Sequence, residues 1–207
     1  MRTHSRIVIA HHLVLHGYGH WLPNDPRGSG SREIRNADLS DLGPVHYGRK
    51  FVQPSREELR EFSRAAAPRL DFAPLWFDDA KLWFDDAKRQ AVGESIGALV
   101  REKGYTVWAC AVLKNHLHLC VRRHRDDATT LWNAFAEATR DKLRLFANVA
   151  DDHPVWSTRP YKVFLYTPDD VRRIVKYIDD NPEKEGLPRQ FWNFVTPYDG
   201  WPHARRR

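Results

Sequence analysis

Apolar positions along the chain recur with two different periods, and the switches between them predict the elements. Residues 6–16 (Arg-Ile-Val-Ile-Ala-His-His-Leu-Val-Leu-His) are apolar and β-branched and predict a buried first strand, interrupted by His11 and His12. From Gly17 the chain turns to Gly, Pro, Asn, Asp and Ser, which predicts a long loop to about residue 53. A loop of that length inside a compact domain is uncommon unless it is functional or disordered. Pro54-Ser55-Arg56-Glu57-Glu58 has the form of a capping box, so a helix begins at Ser55, and Pro68 limits it. Two identical heptads follow, Leu75 to Lys81 and Leu82 to Lys88, each reading Leu-Trp-Phe-Asp-Asp-Ala-Lys. Seven residues are about two helical turns, so both copies present nearly the same face. They form either a doubled aromatic patch or a small duplication of the kind a helix entrance absorbs.

The second half of the chain is more regular. From Asp85 to Lys103, Val92, Ile96, Leu99 and Val100 recur at helical spacing, and Gly104 supplies the stop. Residues 105–113 and 116–123 predict two strands joined at Lys114-Asn115. Residues 127–146 predict a helix with Trp132, Phe135, Thr139, Leu143 and Phe146 along one side. Residues 161–166 read as a further strand. Thr167-Pro168-Asp169-Asp170 then starts a helix whose buried stripe is Val171, Ile174, Val175 and Ile178, and which Asn181-Pro182 ends. The order predicts an α+β fold, an antiparallel sheet with helices packed on it, ferredoxin-like or RNA-recognition-like. Residues 1–207 read as one domain with a loop insertion at about 17–53 and a basic C-terminal tail.

Composition narrows the partners. The 207 residues are 42% apolar, which excludes wholesale disorder, and 33 Lys+Arg against 27 Asp+Glu leave a net charge of +6. That balance favours a polyanionic partner. No stretch approaches the roughly 18 apolar residues of a membrane span, so a soluble, cytoplasmic protein is expected. Two cysteines, Cys110 and Cys120, are too few for a disulfide framework.

Candidate chemistry begins at His116-Leu117-His118. Side chains two apart in a strand share a face, so both imidazoles project together while Leu117, Leu119 and Val121 point the other way. If Lys114-Asn115 is a two-residue turn, Leu113 pairs with His116, Ala111 with His118 and Ala109 with Cys120. The histidine face is then lined by small residues, and Cys120 lies on it. The opposite face carries Cys110, Trp108, Val112, Leu117 and Leu119, which keeps the two cysteines apart. Same-face histidines can hold a metal, or can simply hydrogen-bond or sit half-exposed. On the last helix Tyr177 and Asn181 are surface neighbours four residues apart that flank the buried stripe. A tyrosine there can also be a plain boundary residue, and an Asn before Pro a plain terminator. Arg122, Arg123 and Arg125 leave the histidine strand, and Arg172, Arg173 and Lys176 lie on the exposed side of the tyrosine helix. All six are candidate contacts to a phosphate backbone, or solvated charge. Trp21, Trp76 and Trp83 are candidates for stacking on bases or for packing.

Asn115-His116-Leu117-His118-Leu119, followed by Tyr177-Ile178-Asp179-Asp180-Asn181-Pro182-Glu183-Lys184-Glu185-Gly186-Leu187, resembles the HUH (His-hydrophobic-His) single-tyrosine transposases, and in particular their REP-associated branch. The resemblance spans roughly residues 105–190, with a fainter echo in the first strand and in the Trp21-Leu22-Pro23 to Gly28 loop. Residues 30–90 have no counterpart in it. It implies a divalent ion, magnesium or manganese, on His116 and His118, with Asn181 as a third, amide ligand and Tyr177 as nucleophile. Nitrogen ligands favour manganese over magnesium. It further implies single-stranded or hairpin DNA as substrate, cut and rejoined through a covalent phosphotyrosine in transposition or a domesticated role. A homodimer is a further implied partner, in which Tyr177 serves its own chain's histidines or the partner's. Two alternatives share the residues: a non-catalytic nucleic-acid-binding module on the same sheet, and a metal-dependent phosphodiesterase using water.

Overall fold

A computed structural model describes residues 7–17, 22–29, 32–34, 37–48, 50–71, 84–147, 155–157 and 161–202. The chain forms two compact units, one of residues 1–16, 83–150 and 160–207, the other of residues 17–82 and 151–159.

The first unit carries a four-stranded sheet of β1 (Ala10–His16), β2 (Val107–Val112), β3 (His116–Arg122) and β4 (Tyr161–Leu165), in the order β2-β3-β1-β4. Every pairing is antiparallel. With α2 (Asp86–Lys103), α3 (Ala128–Ala147) and α4 (Pro168–Lys184) packed on it, this is the predicted α+β fold, with the ferredoxin-like strand order. Strand ends fall a few residues inside the predicted ones. The face of Leu13, Leu15, Leu117, Leu119 and Val121 is fully buried, and α2 and α3 cover it. Trp132, Phe135, Thr139 and Leu143 on α3 are buried as the spacing predicts, and Trp132 Nε1 donates to the Val14 carbonyl. Asp85 caps α2 and Gly104 ends it, so the second heptad copy closes as a helix entrance. Residues 72–83, with Trp76 and Trp83, lie outside the described residues, as do Trp21 and Arg205 to Arg207.

The hairpin register is the expected one: Ala111 pairs with His118 and Ala109 with Cys120, and Leu113 N–H donates to the His116 carbonyl. One expectation fails. The register shifts between Val107 and Ala109, so Trp108 is an extra residue in a β-bulge and turns onto the histidine face rather than the leucine face. There it packs edge-on against Tyr198, with ring centroids 4.6 Å apart, and beside Trp201. Both cysteines are free and buried, Cys120 on the histidine side.

α4 covers the histidine face, its Val171 and Ile178 packed with Ala109, Ala111, Leu113 and Cys120. Thr167 and Asp170 cap each other's backbone at its start. The helix does not end at Asn181-Pro182, as the sequence suggested, but runs to Lys184 with Pro182 inside it. Pro182 forfeits only its own backbone donor. The stop comes from Gly186, whose φ of +71° closes a Schellman turn: Leu187 N–H donates to the Pro182 carbonyl and Gly186 N–H to Glu183. Beyond it the chain lies along the edge of β2. The Gln190 amide bonds both backbone groups of Val112, and Thr196 N–H donates to Val107. Trp192 lies against Gly93 of α2, where any Cβ would collide with the indole. The open edge is thereby occupied.

The second unit contains a short 3-10 helix (Ala37–Leu42) and α1 (Arg56–Asp71), with a small core of Leu22, Leu39 and Ala66. Ser55 and Glu58 form the predicted capping box. Pro68 does not limit α1, whose backbone stays helical three residues further, because a proline removes one hydrogen bond without forbidding a last turn. Within the segment predicted as loop, buried Asp25 receives Arg27 through Nε and Nη2 at 2.9 and 2.6 Å, and the Asn24 amide donates to the Leu39 carbonyl. Among the described residues no helix is long and apolar enough to cross a membrane.

Candidate functional site

The site lies on the α4 side of the sheet, within the first unit. β3 contributes His116 and His118, as predicted, and β1 contributes two histidines the sequence reading did not assign to it. β1 pairs with β3 so that His16 stands opposite His116 and Val14 opposite His118. Positions 12, 14 and 16 share a face, which brings His12 beside His118. The adjacent His11 points to the other face, edge-on to Phe164.

The result is a cluster of four imidazoles. His16 stacks on His116 with centroids 5.6 Å apart, and His12 stacks on His118 at 5.2 Å. His12 Nε2 and His118 Nδ1 are 3.0 Å apart, a hydrogen bond between two buried rings. His116 Nδ1 donates to the Asn115 side-chain oxygen at 2.7 Å. Burial lowers the His12 pKa to about 4. Burial, with the neighbouring histidines adding to it, lowers that of His118 to about 2. Both rings are neutral at physiological pH, the form that can ligate a metal.

α4 presents Tyr177 and Asn181 four residues apart on one face, and its C-cap residue Glu185 follows four residues later. Tyr177 stands edge-on to His118 and to His12, with centroids 5.6 and 6.1 Å apart, and the residue is 43% exposed. An aromatic ring against the cluster that still reaches solvent is accessible to a substrate. Lys184 Nζ lies 5.4 Å from the centre of the same ring. One turn on, Asn181 is buried, and Glu185 Oε1 comes within 4.0 Å of His116 Nε2. Among the described residues, the buried atoms without a hydrogen-bond partner include His118 Nε2 and Asn181 Nδ2 at this site. A buried polar atom without a protein partner calls for an explanation, such as an ordered water, an ion or a catalytic role.

Among the described residues no three His, Cys, Asp or Glu side chains group as a metal centre would. An ion here would draw on the two β3 imidazoles and the Asn181 amide oxygen; the orphaned His118 Nε2 fits such a donor set, whereas the orphaned Asn181 Nδ2 is a hydrogen-bond donor and would face away from the ion. Glu185 would stand near as an oxygen donor.

The basic candidates divide. Arg122, Arg123 and Arg125 leave β3 at the end away from His116, about 20 Å along the strand. Arg122 stacks over Trp201 at 4.1 Å, while Arg123 and Arg125 are exposed. On α4, Arg172 pairs with Asp169, Arg173 with Asp170 and Lys176 with Asp180, all on the exposed surface. His12 and His16 escaped the sequence reading, although their even spacing in the first strand was a usable signal. Glu185 escaped it because the helix was expected to stop four residues earlier.

No family model matches the sequence, and no curated protein matches it. The fold is similar to a solved structure of a REP-associated tyrosine transposase bound to a REP hairpin, at 15% identity and a TM-score of 0.44, covering 94% of this chain and 81% of that one. A likeness at that level assigns no activity to this chain.

Proposed function

We propose that this chain is a metal-dependent enzyme that nicks and rejoins single-stranded DNA through Tyr177. The observation that carries the reading is the approach of the half-exposed Tyr177 ring to His118 and His12, with Asn181 following on the same helical face. His116, His118 and Asn181 would hold the divalent ion, manganese suiting the nitrogen donors better than magnesium. When bound, the ion supplies charge to a non-bridging phosphate oxygen of the scissile bond.

The chain's own residues supply the rest. The Tyr177 hydroxyl attacks phosphorus, its proton leaves to solvent, and the bond from phosphorus to one bridging deoxyribose oxygen breaks. That oxygen takes up a proton and leaves as a free hydroxyl on one fragment, while the phosphate on the other fragment stays esterified to Tyr177. The new ester conserves the bond's energy, so a later hydroxyl reverses the step without ATP. A net charge of +6 and the exposed Arg123 and Arg125 favour a polyanionic strand.

The experiment is a denaturing gel of the protein with end-labelled single-stranded hairpin DNA and manganese. Label should migrate with the protein, and His118→Ala should lose the adduct while still binding the hairpin, because basic side chains supply most phosphate contacts. Cleavage without an adduct would instead favour a hydrolase using water, and binding without cleavage a nucleic-acid-binding module.

A further inference from the structure

The first-strand histidine His12 and the turn residue Asn115 have no part in the chemistry above, yet each meets one histidine of β3 through the same ring atom. Asn115 Oδ1 lies 2.7 Å from His116 Nδ1, and His12 Nε2 lies 3.0 Å from His118 Nδ1. A neutral imidazole carries one proton, and the hydrogen bond made by one nitrogen decides which nitrogen keeps the lone pair.

At His116 the choice is forced. A side-chain amide oxygen only accepts, so Nδ1 donates, and in the neutral ring the lone pair falls on Nε2. At His118 burial makes the choice. Nε2 is buried and without a partner. A proton on it would be a donor left unmet in the interior, which costs more than an unmet lone pair. The proton therefore sits on Nδ1 and is donated to His12 Nε2.

We propose that Asn115 and His12 are positioning residues that hold His116 and His118 in one tautomer, with the proton on Nδ1 and the lone pair on Nε2. The two supports come from different places, one from the turn just before β3 and one from the neighbouring strand β1. They present the β3 pair as two ligands of the same kind before any ion arrives. The inference rests on the reading of His116 and His118 as metal ligands. Partners of this type orient ligating imidazoles, and their loss typically weakens metal binding by about 10–100-fold.

Two measurements on the full chain test it. Long-range proton–nitrogen NMR of metal-free protein reports the tautomer of each histidine, and electron paramagnetic resonance of free manganese reports its affinity. In the wild type His116 and His118 should both show the Nδ1–H pattern. In His12→Phe, His118 alone should lose that pattern, and in Asn115→Ala, His116 alone, each with manganese affinity down by about 10–100-fold. His12→Gln and Asn115→Asp, which keep an acceptor oxygen, should restore most of it. A wild-type Nε2–H tautomer at His118, or unchanged affinity and tautomer in His12→Phe, would overturn the proposal while leaving the metal reading intact. Unchanged manganese binding in His118→Ala would overturn both.

Discussion

The two faces of this sheet are built by the same strands and do opposite things. On the face under α2 and α3, Leu13, Leu15, Leu117 and Leu119 are fully buried apolar side chains. On the face under α4, the same strands carry His12, His16, His116 and His118, with the small residues Ala109, Ala111 and Cys120 beside them packed under Val171 and Ile178 of the helix. Because side chains alternate with a period of two, a strand can give every second position to stability and the others to chemistry. The leucine face leaves few polar groups to satisfy. A buried polar atom without a partner occurs on both sides, His11 Nδ1 on the leucine face and His118 Nε2 and Asn181 Nδ2 on the other, but the face under α4 gathers its polar rings into one cluster beside a half-exposed tyrosine.

The sharpest way to break that contrast is to truncate one neighbour on each face. Leu119→Ala removes a fully buried side chain and should cost about 2–5 kcal/mol in a urea melt. His118→Ala, one residue earlier and on the other face, should cost clearly less while abolishing nicking. Equal losses of stability would mean that the histidine face is core like the other.

Acid offers the next test. His12 and His118 are held neutral by burial, with pKa values lowered from 6.5 to about 4 and about 2. The unfolded chain takes up protons on both rings near pH 6.5, and the folded chain does so only well below it. Their contribution is therefore fully present above pH 6.5 and is lost as pH falls towards the folded values. By about pH 5 the loss is about 2 kcal/mol for each ring. Urea melts of metal-free protein at neutral pH and near pH 5 measure it, and His12→Phe should flatten the profile. A wild-type stability unchanged over that window would contradict the buried, neutral cluster.

How much of this could be read from the chain follows from what is local. The Lys114-Asn115 turn set the hairpin register, and so put Ala111 beside His118 and Cys120 on the histidine face. Thr167-Pro168-Asp169-Asp170 announced α4, and its apolar stripe announced the face that packs. What escaped depended on pairings between distant segments or on single-residue irregularities. His12 and His16 join the site only because β1 lies beside β3, which nothing in residues 6–16 specifies. The bulge at Trp108 reverses one side chain without altering the apolar pattern around it. Pro182 looked like a terminator, yet Gly186 supplies the turn that ends the helix and so brings Glu185 to His116. The Tyr177 and Asn181 spacing was legible; the second histidine pair they face was not.

The smallest change to the fold bears on the central claim. Tyr177→Phe keeps the ring that packs against His12 and His118 and removes only the hydroxyl, so a urea melt should shift by no more than about 1 kcal/mol. The covalent adduct and strand joining should vanish together, because both pass through the same ester. The direct measurement is peptide mapping by mass spectrometry of wild-type protein trapped on hairpin DNA with manganese, run beside Tyr177→Phe. The account predicts a nucleotide mass on the peptide containing Tyr177 in the wild type and no adduct in the variant. An adduct that persists in Tyr177→Phe, or that maps to Tyr161 or Tyr166 on and just after β4, would contradict it.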